Sequence, residues 1–139
     1  MEACTLPLSY EYSKYLYYSS FLIGVSSVVC AYHKDYASFL FMFIMFLSSI
    51  HFWYKPDYGM GRNIDMFLCK MINFYFYADT LFFYDDFYHA VYKNGLYNVL
   101  FLYLMEHIFY YCKNKKWIIF HMAIHFYLSL FTPFVLYIL

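Results

Sequence analysis

Two histidines lie four residues apart in the last apolar stretch of the chain, Trp117-Ile-Ile-Phe-His121-Met-Ala-Ile-His125. On a helix, positions i and i+4 share a face. Neutral imidazoles placed so can bind one metal ion from a single turn, as in an HExxH helix. The glutamate of that motif is absent here. The competing role is hydrogen bonding to neighbouring helices, which polar side chains in an apolar helix also provide.

His51 is the candidate third ligand. Three histidines and a water would make an open zinc site, where the metal brings the pKa of the water to about 7. Trp53 and Tyr54 beside His51 read instead as interface anchors, which would make it an interfacial histidine. His107 competes for the third position. Glu106 could be a ligand or general base, or could pair with the Lys113–Lys116 cluster. Asp65 follows Arg62 by three residues, so a local ion pair is its plainer role. In a site it would take a proton from an activated water or orient a histidine. Ser48 shares a helix face with His51 and could donate to an oxyanion. Bonding back to its own helix is the commoner fate of such a serine.

These residues need elements to hold them, and composition says which. The chain is 65% hydrophobic, 29% aromatic and 13% charged, against about 25% charged in a soluble domain. A membrane span takes about 20 mostly apolar residues. Five candidates are present, near residues 16–32, 36–54, 64–83, 96–112 and 117–139, within a single domain covering 1–139. The expected fold is all-α, a polytopic transmembrane bundle, because helices satisfy their own backbone in lipid. No period-2 pattern of barrel strands is visible. The stretch from Asp79 to Tyr92 reads equally as the end of a span, an interfacial helix or a loop. The carboxylates within it, Asp79, Asp85 and Asp86, read as solvated.

Loop charge gives an orientation. The N-terminal segment and the second and fourth loops carry Lys14, Lys55, Arg62, Lys113, Lys115 and Lys116, and the other side carries Lys34 and Lys93. The N-terminus is therefore expected in the cytoplasm. Residues before Lys14 lack the basic region of a secretory leader. Net charge is zero, which gives no footprint for nucleic acid. Cys4, Cys30, Cys69 and Cys112 are scattered, without metal-knuckle spacing or a disulfide framework; Cys69 and Cys112 are expected to pack as small hydrophobes.

At 1.5 Å per residue, Ser48, His51, Asp65, Glu106, His107, His121 and His125 fall within about 10 Å of one membrane face. Several helices thus place polar groups at one depth, which points to a shared site.

Ser48-Ser-Ile-His51, then Asp65, then His121-x-x-x-His125 resembles the alkaline ceramidase-like superfamily of membrane hydrolases, which includes adiponectin-receptor-type proteins. The resemblance implies His51, His121 and His125 as zinc ligands. It also implies Asp65 as base or orienter and Ser48 beside the scissile carbonyl. Members normally have seven spans. The segment Ser48-x4-Trp53-x2-Pro56-x2-Gly59-x2-Arg62-x2-Asp65 is also similar to one in small polytopic proteins of giant DNA viruses. The leading expectation is a zinc-dependent hydrolase of a lipid amide or ester. The substrate would enter from the cytoplasmic leaflet of the bilayer that surrounds the protein. One rival is a structural or assembly subunit of a virion or organellar complex, with the polar residues as interhelical glue. Another is a bis-histidine haem subunit using His107 with His121 or His125. All three readings are compatible with an oligomer or a complex.

Overall fold

The structure is a computed structural model describing residues 6 and 8–139. Five helices follow one another: α1 (Tyr10–Tyr32), α2 (Tyr36–Tyr54), α3 (Met60–Phe83), α4 (Asp86–Tyr111) and α5 (Trp117–Pro133). A π-helical turn, Phe134–Ile138, closes the described chain just after Pro133, where the imino acid withdraws a backbone donor.

The helices are longer than hydropathy alone suggests. α1 begins before residue 16 and α4 before residue 96, because Glu11, Lys14, Asp86, His89 and Lys93 stay helical despite their charge. A helix needs backbone hydrogen bonds, not apolar side chains, at its ends. The stretch from Asp79 to Tyr92 divides between the end of α3 and the start of α4, with Tyr84 and Asp85 between them. Three helices are long and apolar enough to cross a membrane: α1, α2, and α5 with its π turn. α3 and α4, with 24 and 26 residues, have the length but carry more charge.

Short connections force neighbouring helices antiparallel. The α1–α2 corner turns on Lys34, at φ 60°, and the α4–α5 corner on Lys113, at φ 53°. At each corner an amide bonds back across the helix end, Asp35 N to Cys30 O and Asn114 N to Phe109 O. Left-handed residues of this kind end many helices. Asp35 then caps α2 by accepting from the Ser38 amide, and its other oxygen accepts from the Tyr137 hydroxyl at 2.8 Å.

Each helix packs on its chain neighbours, and α1 packs on α5, so the five close into a ring. α1 and α5 run parallel. Their seam is polar: Ser19 meets His125, and the Ser26 hydroxyl donates to the Ser129 carbonyl. Small residues permit that approach. Ser13, Ser20 and Ser27 are also buried, whereas Tyr18, Val28, Phe74, Phe82, Leu100, Phe101 and Leu130 are exposed. Such an inside-out distribution suits a hydrocarbon surround.

Two apolar clusters occupy the ring. Leu16, Phe52, Trp53, Trp117 and Ile118 fill one end. Ile23, Met42, Met45, Ile72, Phe76, Tyr92 and Val135 fill the other. In α1, α2 and α5, polar residues lie between cluster members along the helix: Ser19, Ser48 and Ser49, and His121 and His125.

Candidate functional site

All five helices contribute to this polar layer. α5 presents His121 and His125 on one face, with ring centroids 4.7 Å apart and planes at 77°. From α4, Glu106 Oε1 meets His121 Nδ1 at 2.8 Å. With the carboxylate oxygen accepting, Nδ1 is the donor in this contact. From α1, Ser19 Oγ meets His125 Nδ1 at 2.8 Å and Leu16 O at 3.0 Å. The hydroxyl can serve either contact, so Ser19 positions the His125 ring without fixing its tautomer.

α3 supplies Asp65, 5% exposed. Ser48 and Ser49 of α2 both donate to its Oδ1, at 2.8 and 2.9 Å. Arg62 lies over the Tyr58 ring at 5.4 Å. A burial of this depth needs partners for the charge, and here hydroxyls provide them.

Two cavities meet at this layer, and Asp65 and His121 line both. The smaller, about 130 Å³, is a vestibule beside Arg62, Glu106, His107 and Trp53. Two atoms of its lining, Glu106 Oε2 and Trp53 Nε1, are buried without a protein hydrogen-bond partner. Buried polar atoms are almost always satisfied, so the vestibule suits water or a polar group. The larger cavity, about 410 Å³, is a chamber among all five helices, bounded by Ile23, Met45, Leu96, Leu100, Ile124 and Leu128 as well as Asp65, His121 and His125. Its size matches small-molecule sites.

The layer gathers Ser48, Asp65, Glu106, His121 and His125, and does not gather His51. His51 is exposed and lines a separate outer depression with Tyr17, Leu47, Lys55 and Asp57. A helix turns 100° per residue, so the face of α2 that carries Ser48 and Ser49 inward turns His51 outward. The three-histidine zinc set is therefore not assembled. No three His, Cys, Asp or Glu side chains among the described residues are placed to hold a metal ion. His51, His121 and His125 thus do not form one ligand set. His107 bonds the Tyr103 carbonyl of its own helix at 3.0 Å and lines the vestibule.

Ser48 Oγ faces Asp65 and also Met45 O at 3.0 Å. With one proton between them it holds the carboxylate and is not a free oxyanion donor. Glu106 pairs with His121, not with the Lys113–Lys116 cluster, because its position turns it into the ring. Trp53 is not an interface anchor: it is 4% exposed and lies edge-on to His121 at 4.8 Å. Cys30, Cys69 and Cys112 are free thiols, and Cys112 is exposed, not packed; Cys4 lies outside the described residues.

Sequence reasoning missed Ser19 and Ser49. The available signal was the serine-rich face of α1 and the doubled serine ahead of His51. Comparison with known proteins gives no matching family model, no matching curated protein and no matching solved structure.

Proposed function

We propose that this chain is a multi-pass membrane hydrolase acting on a lipid amide or ester. One observation carries the reading: a lipid-sized apolar chamber and a polar vestibule share Asp65 and His121 as their common wall. An acyl chain would occupy the chamber and water the vestibule, so the carbonyl and the water meet at that wall.

In this mechanism His121 Nε2 takes a proton from water as the oxygen adds to the carbonyl carbon. The resulting imidazolium is stabilised by Glu106. It returns the proton to the leaving nitrogen or oxygen as the carbon–heteroatom bond breaks. The products are a fatty acid and an amine or alcohol. Asp65, fixed by Ser48 and Ser49, orients the attacking water. The test is turnover of N-acyl and O-acyl lipids by protein purified in detergent. Release of fatty acid by wild type and its loss in His121→Asn are expected. Equal, background-level release by both would end the hydrolase reading.

A second reading has its own support. Ser19–His125, Glu106–His121 and Ser48/Ser49–Asp65 are contacts between helices, which is what structural glue does. Background turnover with a large loss of stability in His121→Asn would favour an assembly role.

The proposed topology has five crossings with a cytoplasmic N-terminus, from the Lys/Arg bias of alternate loops. The polar layer then lies toward the cytoplasmic leaflet. In a chain whose native cysteines, including the exposed Cys112, are replaced by serine, a cysteine at position 115 is expected to react with an impermeant label only from the cytoplasmic side. Labelling only from the opposite side would invert the assignment.

A further inference from the structure

Lys70 stands near the middle of α3. It lines the apolar chamber together with Asn73, and it is exposed. No hydrogen bond or ion pair joins it to another described residue. With α3 as one of the five proposed crossings, a lysine at that depth is costly unless an anion meets it. Met60 lies ten residues before it and Phe83 thirteen after. At 1.5 Å per residue those ends are roughly 15 and 20 Å away, beyond the reach of a snorkelling ammonium of about 6 Å.

The chamber itself provides no such anion in the right place. Asp65 precedes Lys70 by five residues, about 140° away in direction and about 7.5 Å along the axis. Its Oδ1 is already committed to Ser48 and Ser49. The remaining source of negative charge is whatever fills the chamber.

We infer that the chamber binds a single-chain lipid bearing an oxyanion, which Lys70 pairs while the acyl chain lies along the apolar wall. This rests on the proposed lipid hydrolase and specifies its substrate: a single-chain acyl amide or ester that carries a phosphate or carboxylate. Lys70 is then a specificity residue. It sets which lipid is held and takes no part in bond cleavage. Asn73, one turn further along α3, already donates to Cys69 O at 2.7 Å and has a second amide hydrogen free for the same head group.

The experiment measures equilibrium binding of four radiolabelled lipids with one common acyl chain. Lysophosphatidic acid and N-acylglycine are anionic; monoacylglycerol and N-acylethanolamine are their neutral counterparts. The protein carries His121→Asn, so binding is read without turnover. We expect the anionic lipids to bind at least about tenfold tighter, a difference of about 1.4 kcal/mol. Adding Lys70→Gln should erase that preference and leave the neutral lipids unchanged, whereas Lys70→Arg should retain it. A preference for only one of the two anions identifies the head group as phosphate or carboxylate. Equal binding of neutral and anionic lipids, a preference that survives Lys70→Gln, or no binding of any of the four overturns the inference. Lys70-dependent binding alongside absent turnover in the wild type would instead leave the binding site standing and remove the hydrolase.

Discussion

Glu106→Gln is expected to lower kcat by about 10²-fold or more while KM changes little, in line with the usual worth of positioned acid–base catalysis. Glu106 touches no substrate in the proposed reaction; it acts through His121. Its Oε1 lies 2.8 Å from Nδ1 and fixes the tautomer that leaves Nε2 basic. A glutamine can offer an amide hydrogen to Nδ1, which moves the ring proton to Nε2 and removes the base. The charge that stabilises the imidazolium is lost as well. Because the amide is nearly isosteric, the fold is expected to keep its melting temperature. His51→Ala is the control. That side chain lies outside the polar layer, so turnover and stability should both stay at the wild-type level. Unchanged kcat in Glu106→Gln would remove the proposed base, and collapse of activity in His51→Ala would restore a role for the outer histidine.

The second large effect is on packing. Gly95 of α4 faces the Phe131 ring of α5. A Cβ at position 95 would fall 2.1 Å from Phe131 Cε1 and 2.3 Å from Cζ. These distances are far below van der Waals contact, so the ring or the helix must move. Overpacking of this kind costs typically about 1–3 kcal/mol. The ring is not free to swing aside, because it stacks on Tyr92 and Tyr127. Gly95→Ala should therefore lower the melting temperature in detergent by several degrees, and Gly95→Leu should prevent accumulation of folded protein. Phe131→Leu should relieve most of the alanine penalty, since it removes the atoms that clash. Additive losses in the double variant would show that the glycine matters for another reason. The α4–α5 pair also carries Glu106–His121, so loosening this seam is expected to reduce activity along with stability.

The number and order of helices were legible from the chain alone. Charge and turn residues at His33–Asp35, Lys55–Gly59 and Lys113–Lys116 break the apolar runs, and interruptions of that kind are local. The shared depth of Asp65, Glu106, His121 and His125 was legible too, because a helix has a fixed rise and depth follows from distance to a loop. Azimuth was not. Whether a residue at the right depth turns into the ring depends on which side of its helix the neighbours occupy, and that is decided by packing across the whole bundle. His51 and Ser48 lie within a turn of each other, yet only Ser48 reaches the layer. Trp53 has the composition of an interface anchor, but its place among Phe52 and Trp117 buries it. The sequence by itself determined that polar groups from several helices would lie at one level of an apolar bundle. Only packing across the bundle decided which of them meet: the rotation of each helix against its neighbour brought Asp65 to Ser48 and Ser49 and Glu106 to His121, and closure of α1 against α5 joined Ser19 to His125, residues about a hundred positions apart, and no local rule fixes either.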